Sequence, residues 1–157
     1  TTTAVRERID GYINAYAHSD FALNFNFMAS DLKCTMPAMG TPKIIEEDLQ
    51  RIKTLLSRNP QVTAAIAADH GIARLLQIAL DQLEKRVPED FSIICYDTPN
   101  ELFLGRRYTH IQQDQFRIGY QAAQILLDTL NRQPLNQAHH LIDYSLIEEG
   151  TVADLHK

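Results

Sequence analysis

Two carboxylates follow short apolar runs near the middle of the chain. The run "AAIAAD" (residues 64–69) ends in Asp69, and the run "SIICYD" (residues 92–97) ends in Asp97. If both runs are neighbouring strands of a parallel sheet, their carboxyl ends open onto one crevice, where such sheets bind ligands. An ionised carboxylate accepts hydrogen bonds from adjacent hydroxyls, or from an amide and a hydroxyl, which suits a polyol such as a sugar. The two residues therefore predict a small-molecule binding site.

Each carboxylate also has a local structural interpretation. Asp69 precedes a long helix pattern, and aspartate is a favoured N-cap residue. Asp97 precedes Thr98 and Pro99, a sequence typical of an Asx turn. A capping or turn role and a ligand role can coexist in one residue, so the sequence leaves both open.

The elements that must position these carboxylates follow from hydrophobic periodicity. Apolar residues at steps of three and four predict helices over residues 4–18, from Pro42 to the "SRNP" stretch, over 70–86 and over 114–133. The alternating "FALNFNFMAS" (21–30) predicts a strand with one wetter face. Short strands are also predicted at 61–69 and 91–96, both covered on two faces, and at 108–111 and 139–147.

Strands that alternate with helices indicate crossover connections and a mostly parallel sheet. We therefore expect an open α/β fold with helices on both faces. The chain has 157 residues, of which 45% are hydrophobic and 22% charged, as in a globular protein with its own core. No apolar stretch is long enough to span a bilayer, and there is no signal-peptide pattern.

Charge and cysteine content narrow the class of function. The formal net charge is −5 and no basic run is present, so we do not expect this segment to contact a nucleic-acid backbone. The two cysteines, Cys34 and Cys95, cannot define a disulfide framework. Cys95 lies in an apolar run and is expected to be a buried free thiol, which favours a reducing compartment.

Other chemistry-bearing residues point away from catalysis. His139 and His140 are adjacent in a predicted strand, so their side chains point to opposite faces and form a poor metal site. His70 could form an acid–base pair with Asp69, but no serine or cysteine nucleophile is near in sequence. The six glycines do not cluster into a phosphate-binding loop. We expect no enzymatic activity, no metal and no cofactor.

Longer motifs carry a family resemblance. The stretch "TAAIAADHGIARLLQIALDQLEKRVPEDFSIICYDTP", followed by "YTHIQQDQFRIGYQAAQILLDTL", resembles the effector-binding core of the lac repressor/galactose repressor family of bacterial transcription regulators. The "VPED" run into "YD" is the most specific match, and the spacing of Gln113 and Gly119 and the "RERIDGY" motif support it. The resemblance covers nearly the whole chain, but only the second half or so of that family's effector-binding region.

The resemblance implies a periplasmic-binding-protein-like fold of type I, with residues 1–157 as a partial effector-binding domain. Arg8 matches the family arginine that bonds effector hydroxyl or carboxylate groups, and Asp97 matches its ligand-binding aspartate. Gln113 matches the crossover towards the missing subdomain. Ala68 stands where the family usually has a ligand-binding asparagine. With Tyr96 as an aromatic that could stack on a sugar ring, the predicted ligand-binding residues are Arg8, Asp69, Tyr96, Asp97 and Gln113.

The resemblance also implies a function and partners. We expect a cytoplasmic sensor of a sugar or sugar phosphate that controls DNA binding by a headpiece outside this chain. The helix from His70 is apolar on more than one face, which predicts a partner surface that includes Leu76 and Ile78. Since the equivalent helix of the family helps to form its homodimer, the resemblance implies a homodimer here. The alternative is a sugar-binding receptor of a transport system, which would carry an upstream signal peptide.

Overall fold

The computed structural model describes residues 3–33, 41–97, 105–133 and 140–154. Cys34, the Thr98–Pro99 pair and His139 lie outside these residues. The described elements, in chain order, are α1 (Thr3–Ala17), the short 3₁₀ helix Phe25–Phe27, α2 (Pro42–Arg58), β1 (Ala64–Ala67), α3 (His70–Gln82), β2 (Ser92–Tyr96), β3 (Thr109–Gln113), α4 (Gln115–Leu130) and β4 (Tyr144–Ile147).

The four strands form one sheet in the order β1-β2-β3-β4. β1, β2 and β3 are parallel, and β4 runs antiparallel to β3. This confirms the expected open, mostly parallel α/β fold. Within the described part of the predicted last strand (140–147), pairing begins only at Tyr144, because β3 ends at Gln113, which pairs with Tyr144, and residues 140–143 lie beyond that end.

The hydrophobic core lies between α3 and one face of the sheet, with α2 packed on α3. Ile93 and Cys95 alternate towards this core, whereas Ile94 and Tyr96 face the other side and are half-buried. The core residues include Leu49, Ile52, Leu56, Leu75, Leu80, Phe91 and Ile93. The prediction that β1 and β2 are both covered on two faces was wrong for β1, which is the terminal strand of the described sheet and whose Ile66 is 55% exposed.

Helix starts follow the capping residues of the sequence. The Asp69 side chain accepts from the Ile72 N–H at 2.9 Å, and Asp114 accepts from the Arg117 N–H at 2.8 Å. Thr41 caps α2, with Pro42 in its first turn, where a missing N–H costs nothing. The N-cap interpretation of Asp69 is therefore confirmed.

The segment predicted as a strand over 21–30 is not one. The Asn24 side chain accepts from the Asn26 N–H at 3.0 Å, and Phe25–Phe27 form a single 3₁₀ turn. Asparagine side chains compete for backbone donors in this way and favour turns over ladders. Phe25 is 66% exposed. None of the described helices is both long and apolar enough to cross a bilayer.

The segment after β4 closes the amino-terminal side of the sheet through Thr151. This residue is buried, its hydroxyl donates to the Ile93 carbonyl at 2.8 Å and accepts from the Thr109 N–H at 2.8 Å, and its own carbonyl accepts from the Ile93 N–H. Thr151 therefore joins β2 to β3 below the point where their own pairing begins, at Ile94 and Thr109.

Candidate functional site

Arg8 and Asp97 meet at the carboxyl edge of the sheet. The Arg8 Nη2 donates to Asp97 Oδ2 at 2.8 Å, and its Nη1 donates to the Ala68 carbonyl at 2.6 Å. The arginine comes from α1, while its two partners follow β1 and β2. Thus one guanidinium joins a helix to the ends of two parallel strands, where ligands bind in folds of this kind.

Tyr96 supports this arrangement from the sheet. The Arg8 guanidinium carbon lies 4.5 Å from the centre of the Tyr96 ring, a cation–π contact. Because side chains alternate along β2, Tyr96 faces away from α3, so α1 reaches the sheet from the side opposite α3. Among the described helices, α3 packs on β1 and β2, whereas α1 reaches Tyr96 through the Arg8 side chain.

The backbone of Asp97 is unusual. Its φ of 65° lies in the left-handed region, which aspartate and asparagine tolerate better than most residues. The Asp97 N–H donates to the Ile111 carbonyl on β3 at 3.1 Å, which fixes the residue at the strand end. The side chain is 33% exposed, so it reaches solvent beside the Arg8 contact. An aspartate at this position tolerates the left-handed backbone and places a partly exposed carboxylate at the end of β2.

Asp69 lies close enough to Arg8 and Asp97 to interact with both electrostatically. Burial raises the pKa of the Asp69 carboxyl, and the nearby negative charge of Asp97 raises it further, while the cap hydrogen bonds and Arg8 lower it. The carboxyl edge of the sheet thus brings together four of the five predicted site residues, namely Arg8, Asp69, Tyr96 and Asp97.

Gln113 stands apart from those four. It is the last residue of β3, two positions beyond Ile111, and it is exposed. It lines a separate groove of about 420 Å³ between α4 and residues 140–144, together with Ile118, Ile125 and Tyr144. Another open groove, of about 480 Å³, lies beside Arg51 and Arg58 on α2, away from the carboxylates.

A buried layer that contains His110 and Cys95 lies within β2 and β3, and no sequence pattern predicts it. His110 is fully buried on β3 and pairs in register with Cys95. Its Nδ1 donates to the Tyr108 carbonyl at 2.7 Å, and its Nε2 is buried without a hydrogen-bond partner among the described residues. The ring of His70 lies edge-on to Tyr108, 5.4 Å between centroids. An apolar-flanked histidine gives no sequence signal that distinguishes this role from a surface position.

Cys95 belongs to the same layer. It is a buried free thiol, as expected, and burial, with the negative charges of Asp97 and Asp69, raises its pKa to about 12. Because the thiolate is the nucleophile, such a cysteine is chemically inert near neutral pH. Among the described residues, no three histidine, cysteine, aspartate or glutamate side chains form a group able to hold a metal ion.

Comparison with known proteins defines the class of the molecule. Residues 2–152 match the model of the periplasmic binding protein-like domain, and the chain belongs to this family. The HTH-type transcriptional repressor PurR of Vibrio cholerae is 27% identical over 156 residues, which cover 98% of this chain and 43% of that protein. The chain therefore spans less than half the length of the curated relatives that it matches.

Solved structures place the chain within the family more narrowly. A LacI-family transcriptional regulatory protein from Corynebacterium glutamicum shares 35% identity, with a TM-score of 0.59 over 69% of this chain and 42% of that one. The transcriptional regulator CelR, in complex with cellobiose, has a TM-score of 0.72 at 20% identity, over 92% and 42% of the two chains. The resemblance to lac repressor/galactose repressor effector-binding domains is confirmed. The relatives named above are a transcriptional repressor and transcription regulators.

Proposed function

We propose that this chain is the second half of the effector-binding domain of a longer, cytoplasmic bacterial transcription regulator. It binds a sugar-like effector in the crevice at the carboxyl edge of β1 and β2. The observation that carries the proposal is the position of Arg8, which is held by Asp97, the Ala68 carbonyl and the Tyr96 ring at the edge where open parallel sheets bind ligands. DNA binding belongs to a headpiece outside this chain.

The roles of the crevice residues follow from their chemistry. Asp97 accepts hydrogen bonds from effector hydroxyls while it keeps Arg8 in place, and the remaining Arg8 N–H groups donate to effector oxygens. Asp69 shapes the floor because its carboxylate is committed to the start of α3. Tyr96 supplies an aromatic surface already occupied on one side by Arg8.

The second wall of the crevice comes from another part of the polypeptide. α4 has no buried residue, and it exposes an apolar seam with the four- and three-residue spacing of a packed helix face: Phe116, Tyr120, Ala123, Leu127 and Leu130. In this proposal, Gln113 and Asp114 form the crossover to that second subdomain. Effector affinity that differs between two subdomain arrangements then changes the affinity of the headpiece for DNA.

The same polypeptide acts as a homodimer through the outer face of α3. Leu76 was expected on this surface, but it is only 6% exposed and belongs to the core, whereas Ile78 is 41% exposed. We expect Ile78→Glu to weaken dimerisation of the complete polypeptide by at least about tenfold, because a charge would be buried in an apolar contact. Sedimentation equilibrium measures this, with Ser57→Glu on exposed α2 surface as control. An unchanged dimer constant for Ile78→Glu would place the interface elsewhere.

A ligand screen of the complete polypeptide tests the proposed function. Thermal unfolding is measured with a panel of sugars and nucleosides, and we expect one of them to raise the Tm in a concentration-dependent way, since a ligand that binds only the folded state stabilises it. The same compound should change the affinity for operator DNA. A compound that binds while the native product is exported and carries no DNA-binding segment would favour the transport receptor instead.

A further inference from the structure

The buried layer of His110 and Cys95 extends to the start of α3 through His70. His110 is 1% exposed, and its partner in register on β2 is Cys95, so both side chains lie on the face of the sheet that carries α3. His70 is the first residue of α3 and is half-buried, and its ring lies edge-on to the buried Tyr108 at 5.4 Å between centroids. Two imidazoles from different elements, α3 and β3, therefore share one water-poor layer.

The hydrogen bonds of this layer fit a neutral His110 ring. Its Nδ1 already donates to the Tyr108 carbonyl at 2.7 Å, so a second proton on the ring would go to Nε2. That atom is buried, and the described residues offer it no acceptor. A buried N–H without an acceptor and a charge removed from water both destabilise a fold. Protonation of this ring therefore opposes the packing of β3 in the core.

The surroundings of His70 also oppose a positive charge. The residue stands in the first turn of α3, where the helix dipole is positive. Burial lowers the pKa of His70, and the charges of Arg74, one turn further along α3, and of His110 lower it further. Asp69 precedes His70, but its carboxylate accepts from the Ile72 N–H as the helix cap. The start of α3 thus favours a neutral imidazole.

The other titratable groups around this layer do not provide a counterion. Burial, with two nearby carboxylates, raises the pKa of Cys95 on β2 to about 12, so the thiol is neutral near pH 7. Burial also raises the pKa of Tyr108 on β3, so its phenol is neutral as well. Asp97, at the end of β2, is paired with the guanidinium from α1 at 2.8 Å. Near Tyr108 lie Arg106 and Asp81, whose charges are opposite.

We propose that His70 and His110 form a pH-sensitive layer, which stabilises the packing of α3 on the sheet while both rings are neutral and loses this stabilisation as the surroundings acidify. A histidine of the unfolded chain titrates near about pH 6.5. Because the fold lowers the pKa of His70, the unfolded chain binds more protons than the folded chain below that pH, and stability falls as the pH falls.

Asp69 acts with the opposite sign. Burial raises the pKa of its carboxyl above the ordinary value of 3.8, so the folded chain takes up this proton before the unfolded chain does as the pH falls. Asp69 therefore adds stability in acid, and a loss of stability below about pH 6.5 is assigned to the histidines. This inference concerns the fold and does not depend on which effector the protein binds.

Urea unfolding of the complete polypeptide at about pH 7.5 and about pH 5.5 tests this layer. We expect the unfolding equilibrium constant of the wild type to rise at least about threefold in acid, against a limit of about tenfold for each histidine that is neutral when folded and free to titrate when unfolded. His70→Gln and His110→Asn should each reduce this rise, and the double variant should remove most of it. Asparagine is chosen because its amide nitrogen takes the position of Nδ1 and can donate to the Tyr108 carbonyl.

The matched control is His18→Gln, which removes an exposed histidine at the end of α1 and should keep the rise of the wild type. A substitution that only loosens the packing changes the constant equally at both pH values, so the pH dependence separates a proton-linked role from a structural one. If His110→Asn does not fold, His70→Gln decides the question, since its half-buried position in the first turn of α3 accepts glutamine. The proposal is overturned if the wild type shows no rise, if His70→Gln keeps the full rise, or if His18→Gln loses as much of it as His70→Gln does.

Discussion

Replacing Arg8 by glutamine is expected to weaken effector binding by the complete polypeptide about 100-fold, or about 2.7 kcal/mol. Three contacts of this side chain, to Ala68, Asp97 and Tyr96, are lost together. Glutamine is too short to restore them and has no charge. Asp97 is then left as a partly buried carboxylate without its counterion, which costs more than the loss of a neutral hydrogen bond.

The control for this prediction is Arg86→Gln. Arg86 also pairs with an aspartate, Asp90 at 3.0 Å, but that pair is exposed and lies at the amino-terminal end of β2. Exposed pairs contribute at most about 1 kcal/mol. Isothermal titration of the stabilising effector into both variants measures the difference. An Arg8→Gln protein that is folded and binds the effector within about threefold of the wild type would remove Arg8 from the site.

The second large effect is a loss of stability on substitution of Thr151, which lies at the amino-terminal side of the sheet, away from Arg8 and Asp97. Thr151→Val keeps the volume but removes a buried hydroxyl that both donates and accepts. The Thr109 N–H and one acceptor position of the Ile93 carbonyl then lose their partner, at a cost of about 1–3 kcal/mol for each buried group left unsatisfied. We expect a loss of about 2–4 kcal/mol in the free energy of unfolding.

Urea unfolding of the complete polypeptide measures this loss, with Thr54→Val as the matched control. The Thr54 hydroxyl donates to the Gln50 carbonyl within α2, but the residue is exposed, so water replaces the lost bond. The control should cost less than about 0.5 kcal/mol. Equal effects of the two substitutions would mean that Thr151, in the segment after β4, does not join β2 to β3 as described.

Much of the fold was predictable because it depends on local patterns. The apolar face of α3, the short apolar runs of β1 and β2, and the caps at Asp69 and Asp114 are all encoded within a few residues. The 3₁₀ turn after Asn24 was not predictable in this way, because an alternating pattern forms a strand only where a partner strand is present. The Asn24 side chain instead accepts from the Asn26 N–H and stabilises the turn.

Interactions distant in sequence set the limit of prediction at the site. The carboxylates at strand ends follow from the strand pattern, but Arg8 and Asp97 are 89 positions apart, and no local pattern predicts that they meet. Only the family resemblance pointed to Arg8. Neither a local pattern nor the resemblance predicted the role of Thr151 or the burial of His110. A threonine after a turn and a histidine in a short strand are both compatible with exposed positions.

The central claim is that the effector contacts Arg8 and Asp97 at the carboxyl edge of β1 and β2. A crystal structure of the complete polypeptide with its stabilising effector tests this most directly. The account predicts effector hydroxyls within hydrogen-bond distance, below about 3.2 Å, of the Asp97 carboxylate and the Arg8 guanidinium, with the second wall supplied by another subdomain. An effector bound elsewhere, with the Arg8–Asp97 pair untouched and open to solvent, would contradict it.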